Sequence, residues 1–233
     1  MSRTMYRSDS RIRTVAAVAV FCALAYVACV VFHFRASFLT FDLKDAVMTV
    51  GAMLFGPAWG FAMVLVVALI EMLTVSTTGL YGFVMNVLAS ASFVCVASFV
   101  YTRRRTMKGA LAGTFAAILA MTGVMMLANL VITPFYIGAT AADVAKMIPT
   151  LLLPFNLTKA VFNAALVFIL YKPISAALRR AGFASVTVLG TDTAAHKPEK
   201  TRGLGFTIVI AALVAAAALV FFFFVLHGSV SFG

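Results

Sequence analysis

The chain has 233 residues, of which 64% are hydrophobic and only 11% are charged, and its mean hydropathy is +1.09. A soluble globular domain contains about 45–50% apolar and about 25% charged residues, so this composition excludes one. The net charge of +11 comes from three segments, 1–13, 103–108 and 172–202, and the remaining charges cancel. Basic clusters between apolar segments orient membrane helices, so we do not expect a nucleic-acid-binding surface.

Successive apolar segments predict seven helices. They are expected at 14–32, 45–55, 58–74, 83–101, 108–133, 151–171 and 203–226. Runs of about 20 apolar residues can cross a bilayer core of about 30 Å. Proline ends or kinks a helix at the residue before it, so Pro57 separates the second and third helices and Pro134 ends the fifth. The first apolar run has span length without a clear cleavage site, which indicates a retained helix.

These segments predict an all-α polytopic membrane protein without an evident internal repeat. Its expected parts are a basic cytoplasmic N-terminus (1–13), a six-helix substrate-binding membrane domain (14–173), a polar cytoplasmic linker (174–202) and an additional transmembrane helix (203–227). A cytoplasmic N-terminus places most lysines and arginines on the cytoplasmic side, as the positive-inside rule requires.

This orientation brings the less basic polar segments, 33–45, 75–82 and 138–150, to the outer face. Asn129, Asn156 and Lys159 lie near the outer ends of their helices, and polar groups at such depth usually face the bundle interior. The sequence therefore predicts a ligand pocket that is open to the outside.

Each polar residue also has a structural alternative. Asn156 and Lys159 share a helix face at i, i+3 spacing, but Asn156 could cap the helix and Lys159 could snorkel to the interface. Asn129 could bind a ligand or link two helices. Glu71 could couple transport to an ion, although a salt bridge to Lys44, Arg35 or Lys159 is the preferred interpretation. Asp45 is expected mainly to cap the second helix.

Aromatic residues of the outer segments have two possible roles. They could stack on a planar ligand or form the interfacial aromatic belt, which is the preferred interpretation. They are Phe38, Phe41, Tyr81, Phe135, Tyr136 and Phe155.

Motifs of catalysis and of metal binding are missing. The sequence has no H-E-x-x-H, no G-x-S-x-G and no Walker phosphate-binding motif, and Cys22, Cys29 and Cys95 have no metal-type spacing. We therefore expect neither an enzyme nor a metal site, and this chain cannot itself couple ATP hydrolysis to transport.

Four motifs together resemble a known family over about residues 12–180. They are Phe41-Asp42-Leu43-Lys44-Asp45, Phe55-Gly56-Pro57-Ala58-Trp59-Gly60, Asn129 with Pro134-Phe135-Tyr136, and Pro154-Phe155-Asn156-x-x-Lys159. The first two resemble the first loop and the G-P-x-x-G turn of substrate-binding S components of energy-coupling factor (ECF) vitamin transporters. The last two resemble the riboflavin-specific branch of that family.

The resemblance implies a six-helix fold that binds one vitamin molecule at the outer side of a bacterial cell membrane. It implies riboflavin as the transported substrate, with no cofactor, and substrate binding by Asn129, Asn156 and Lys159. Further substrate-binding residues implied by it are Thr40, Gly79, Tyr81 and Gly82.

The resemblance also implies partner subunits. The first helix of the family docks on a transmembrane coupling subunit through an A-x-x-x-A face, which Ala19 and Ala23 match here, and two ATPase subunits hydrolyse ATP. The chain departs from the family pattern in three places: no proline follows Asp45-Ala46, Glu71 stands where a basic residue is usual, and the seventh helix is extra. The alternatives are an S component for another vitamin or precursor, an ion-coupled secondary transporter using Glu71, or a membrane scaffold without a ligand.

Overall fold

The computed structural model describes residues 2–32, 34–37, 39–76, 78–180, 202–226 and 229–230. Its helices are α1 (Ser2–Val31), α2 (Lys44–Phe55), α3 (Pro57–Thr74), α4 (Gly79–Arg103), α5 (Met107–Ile137), α6 (Ala141–Met147), α7 (Leu153–Arg180) and α8 (Arg202–Phe224). A π-helical segment, Ile148–Leu152, joins α6 to α7. Three short strands, β1 (Phe34–Ala36), β2 (Leu39–Phe41) and β3 (Ser229–Val230), form an antiparallel sheet in the order β2-β1-β3.

Within the described residues, six helical segments are long and apolar enough to cross a membrane. They are Ile12–Val31, Pro57–Thr74, Gly79–Arg103, Met107–Ile137, Ala141–Leu178 and Gly205–Phe224. Helix α2 has only 12 residues, which is about 18 Å at 1.5 Å per residue, so it does not span. The predicted all-α membrane fold with an additional C-terminal helix is confirmed.

The break between α2 and α3 lies where the sequence predicts it. Gly56 separates the two helices with φ +105°, a conformation that favours glycine, and Pro57 opens α3. Four residues after Gly56, a Cβ added to Gly60 would lie 2.6 Å from the Cβ of Ala52. The two glycines therefore fold α3 back tightly against α2, which is buried along most of its length.

The prediction that Pro134 ends the fifth helix is wrong. Helix α5 passes through Pro134 to Ile137 and ends at Gly138, whose φ of +66° is left-handed and whose N–H donates to the Pro134 carbonyl. A proline removes one backbone donor, and packed membrane helices tolerate that loss. The glycine is the actual stop signal.

The helix predicted over 151–171 also ends later than expected. Helix α7 continues through Pro173 to Arg180, so its last turns occupy part of the segment assigned to the polar linker. Residues 181–201 of that linker lie outside the described residues. The predicted loop 138–150 contains the short helix α6, whose N-cap Thr140 accepts a hydrogen bond from the Asp143 N–H at 3.2 Å.

Two buried apolar clusters organise the bundle. The larger one lies among α1 to α5 and α7, and the smaller one joins the β2 strand, α6, α7 and α8. The β1–β2 hairpin, the α3–α4 connection and the last turns of α5 meet at one end of the bundle, where they contribute to one cavity. The basic cluster 103–108 follows α4 and lies at the opposite end.

Candidate ligand-binding site

A cavity of about 310 Å³ lies at the hairpin end of the bundle. The β1–β2 hairpin, the end of α3, the start of α4, the last turns of α5 and the first turns of α7 all contribute to its wall. Small-molecule sites typically measure about 300–1,000 Å³ and combine apolar walls with a few polar groups. The wall here contains both kinds of residue, so its size and lining suit a small polar molecule with an apolar part.

Six of the seven sequence-predicted binding residues line this cavity: Thr40, Tyr81, Gly82, Asn129, Asn156 and Lys159. Gly79 is not among the lining residues. It begins α4 with φ +57°, so its position reflects a backbone requirement that glycine meets easily. Ligand contact by these residues stays a prediction.

Asn156 and Lys159 lie on the first turns of α7 and are buried. The Asn156 side-chain N–H donates to the Leu152 carbonyl at 2.8 Å, so its amide oxygen is left for another partner. Lys159 Nζ donates to the Thr40 carbonyl at 3.1 Å and to Asp42 Oδ2 at 2.9 Å. Lys159 therefore does not snorkel to the interface; it ties α7 to the hairpin.

Asn129 is fully buried on α5, about two turns before the helix ends at Ile137. Its side-chain N–H donates to the Met125 carbonyl at 2.7 Å, and its Oδ1 accepts from Thr133 Oγ1 at 2.9 Å. Both hydrogen bonds stay within α5. The alternative of an interhelical hydrogen bond is therefore wrong for this residue in the described part of the chain.

A buried ionic network lies beside the cavity. Lys44 Nζ contacts Glu71 Oε2, donates to Asn86 Oδ1 at 2.9 Å and lies 3.4 Å from Asp42 Oδ2. The preferred interpretation of Glu71 as a salt-bridge partner is confirmed. Asp42 is shared between Lys44 and Lys159: burial alone would raise the pKa of this carboxyl, but the two lysines outweigh burial and lower it to about 2.

The expectation that Asp45 caps the second helix is wrong. Leu43 is the N-cap of α2 and makes no side-chain capping bond, whereas Asp45 lies within the first turn. Its Oδ1 accepts a hydrogen bond from Ser90 Oγ on α4. The first N–H groups of α2 are satisfied from elsewhere: Asp42 Oδ1 accepts from Lys44 N at 3.3 Å, and Asn163 Oδ1 accepts from Ala46 N at 3.0 Å.

The aromatic residues of the outer segments divide into separate environments. Tyr81 and Tyr136 line the cavity with ring centroids 6.5 Å apart, and Phe155 lines it from α7. Phe41 is fully buried in the smaller apolar cluster, whereas Phe135 is 73% exposed. Phe38 lies outside the described residues. The cavity wall thus has aromatic surface, while Phe135 suits the aromatic belt.

The structure adds cavity residues that the sequence did not single out as binding residues. Glu71 and Asn86 line the wall beside Lys44, and Met121 and Met125 line it two turns and one turn before Asn129, respectively. The spacing of 121, 125 and 129 is a single helical face, so this periodicity was the available signal. No local sequence pattern marks Asn86 as a cavity residue, because its role depends on its hydrogen bond with Lys44 of another helix.

Two further expectations concern metals and partner contacts. Over the described residues, no group of His, Cys, Asp or Glu side chains is arranged to hold a metal ion. Ala19 and Ala23 lie on an exposed face of α1, where small residues would allow another helix to approach closely.

Comparisons with known proteins bear on this arrangement. The family model described as "ECF transporter, substrate-specific component" matches residues 13–171. The protein named "Riboflavin transporter RibU" of Staphylococcus aureus (strain TCH60) is 28% identical over 153 residues, which cover 63% of this chain and 80% of that protein. A solved structure of the S component of a bacterial ECF transporter aligns with a TM-score of 0.63 at 25% identity, covering 73% of this chain and 99% of that chain.

Proposed function

Because the chain belongs to the family of ECF transporter substrate-specific components, we propose that it is the membrane-embedded subunit that binds riboflavin for uptake. One observation carries the proposal: Asn129, Asn156 and Lys159 surround a single cavity that two tyrosines also line. The similarity to a riboflavin transporter supports the same ligand.

The chemistry of the cavity suits a flavin. Side-chain amides can donate to and accept from the ring carbonyls and the ribityl hydroxyls, and the Lys159 ammonium has three donors, of which two are used within the protein. Tyr81, Tyr136 and Phe155 offer aromatic surface to a planar ring. In this proposal Thr40 and Gly82 contribute contacts from the hairpin and from α4.

The assembly and the orientation belong to the same proposal. The chain catalyses no reaction; a transmembrane coupling subunit docks on α1 at Ala19 and Ala23, and two ATPase subunits supply energy. The N-terminus and the basic cluster 103–108 lie in the cytoplasm of a bacterial cell, following the positive-inside rule, so the cavity faces outward. Riboflavin is the transported substrate, and the chain holds no cofactor.

The first experiment is an absorption spectrum of protein purified in detergent from riboflavin-replete cells. A stoichiometric flavin band in the visible range supports the proposal, and addition of riboflavin to stripped protein should quench the vitamin's fluorescence. Asn156→Ala should weaken this quenching, whereas Thr158→Ala tests mere destabilisation, because Thr158 is buried on α7, donates to the Pro154 carbonyl of its own helix and does not line the cavity. A colourless wild-type protein that does not quench riboflavin fluorescence contradicts riboflavin as ligand and favours another vitamin or precursor.

Glu71 distinguishes this function from ion-coupled transport. Its carboxylate is paired with Lys44, which favours a structural role. We expect uptake by Glu71→Gln to persist when the ATPase subunits are present and to be insensitive to proton ionophores. Uptake that needs no ATPase and that Glu71→Gln abolishes would favour the secondary transporter.

A further inference from the structure

We propose that α8 is a working part of the binding site, and that Phe222 on it is a positioning residue for the β1–β2 hairpin at the cavity. The inference rests on the proposed binding function. Helix α8 begins at Arg202, beyond residues 13–171 that match the family model, so family membership alone gives this helix no role.

Phe222 connects α8 to the hairpin and to the cavity wall. Its side chain is fully buried, and its ring centroid lies 4.7 Å from that of Phe41 and 6.2 Å from that of Phe155. Phe41 is the last residue of β2, directly after Leu39 and Thr40, which line the cavity. Phe155 lines the cavity itself. One α8 side chain therefore supports two parts of the wall.

The chain after α8 makes a second connection. Strand β3 pairs antiparallel with β1, placing Phe34 opposite Val230 and Arg35 opposite Ser229. This pairing makes β1 the central strand of the sheet. An isolated two-stranded hairpin is at best marginally stable in water, and a third strand supplies the missing edge bonds. The C-terminal segment thus holds the hairpin through both its backbone and an aromatic side chain.

Packing against α7 fixes the axial position and the rotation of α8. Ala211, Ala215 and Ala218 form a buried stripe with Phe222, and small residues at this spacing let two membrane helices approach closely. Phe224, two residues after Phe222, is 79% exposed on the opposite face. The two phenylalanines therefore make a matched pair for substitution, because Phe222 contacts Phe41 of the hairpin and Phe224 lies on the exposed face of α8.

Loosening the hairpin should disturb the ligand site directly. The Thr40 carbonyl accepts from Lys159 Nζ, and Asp42, just after β2, pairs with the same ammonium. When Phe41 loses its neighbour on α8, these contacts and the rings of Phe155 and Phe162 on α7 must hold the hairpin without the support of α8. We expect the hairpin to open more often and the ligand to dissociate faster.

The experiment compares full-length wild type, Phe222→Ala, Phe222→Leu and Phe224→Ala. Hydrogen exchange of the backbone amides of residues 34–41 in the ligand-free protein measures the hairpin independently of binding. Riboflavin fluorescence then gives Kd and the dissociation rate. We expect Phe222→Ala to speed exchange in this segment and to raise Kd about tenfold, mainly through the dissociation rate. Loss of one aromatic pair corresponds to a change of up to about tenfold in an equilibrium constant. Phe222→Leu should recover much of the loss, and Phe224→Ala should behave as wild type.

Two results would overturn the inference. One is a folded Phe222→Ala protein whose hairpin exchange and dissociation rate equal those of wild type. The other is equal effects of Phe222→Ala and Phe224→Ala, which would indicate general destabilisation; if Phe222→Ala does not fold, Phe222→Leu is compared with Phe224→Ala by the same criteria. Failure of the proposed function looks different: wild type would not bind riboflavin, while the exchange difference in the hairpin would remain.

Discussion

Replacing Lys159 with methionine removes the ammonium and keeps a chain of similar shape. Lys159 is 5% exposed and makes two hydrogen bonds, at 3.1 Å to the Thr40 carbonyl and at 2.9 Å to Asp42 Oδ2. Removing one partner from a buried ion pair costs about 3–5 kcal/mol in stability. Because Lys44 Nζ remains 3.4 Å from Asp42, we expect the lower end of that range, about 3 kcal/mol.

The effect of Lys159→Met on binding is separate from this loss of stability. A hydrogen bond to a charged group contributes about 1.5–3 kcal/mol, which corresponds to a rise in the Kd for riboflavin of about 10- to 150-fold. Quenching of riboflavin fluorescence measures Kd, and thermal unfolding of the ligand-free protein in detergent measures stability.

Lys146→Met is the matched control for this substitution. Its ammonium pairs with Asp143 at 3.2 Å, but the Lys146 side chain is 78% exposed, and exposed pairs contribute little. We expect its Kd and its midpoint of unfolding to equal those of wild type. A Lys159→Met protein that binds riboflavin as tightly as the Lys146→Met control would refute the assignment of Lys159 to the site.

Three further predictions test other parts of the structure. Gly82→Ala should weaken riboflavin binding in a fluorescence titration, since its Cβ would lie 1.7 Å from a threonine hydroxyl, whereas Gly123→Ala, with open space around it, should be neutral or stabilise by up to about 1 kcal/mol. Ala23→Leu should abolish co-purification with the coupling subunit without changing riboflavin affinity, and loss of co-purification with Val131→Leu, an exposed position on α5, as well would contradict a specific docking face on α1. The pKa of Asp42 is lowered from 3.8 to about 2, so its ion pairs stabilise the fold fully above the ordinary value and lose that contribution as the pH falls toward about 2. The difference in unfolding midpoint between wild type and Asp42→Asn should therefore shrink over this interval, and a difference that stays constant would contradict the assigned shift.

Much of the bundle follows from local sequence signals. Apolar segments of span length locate the helices, and Gly56 with Pro57 marks the turn between α2 and α3, since glycine permits the positive φ of this turn and proline fixes its own φ at the start of a helix. Pro134 does not end α5 as expected, because a proline in a packed membrane helix loses only one backbone bond. At the end of α5, the left-handed glycine at 138 stops the helix.

The candidate site was predictable where side chains share a helix face. Asn156 and Lys159 stand three residues apart on α7, and they do line one cavity. The pairings of Lys44 and of Asp45 depend on which helices become neighbours, so no local pattern reveals them. Lys44 meets Glu71 and Asn86 from two other helices, and Asp45 accepts a hydrogen bond from Ser90 although capping was expected.

The charges beside the cavity have a consequence for how a carrier responds to membrane voltage. Among the ion-paired groups, Asp42 and Glu71 supply two negative charges and Lys44 and Lys159 supply two positive ones, while Asp45 is buried nearby and accepts a hydrogen bond from Ser90. A charge moved across a membrane potential gains or loses about 2.3 kcal/mol per 100 mV, but a balanced set moved together contributes nothing net. An uncharged ligand adds no charge to this site, so the empty and the loaded sites respond alike to the membrane potential.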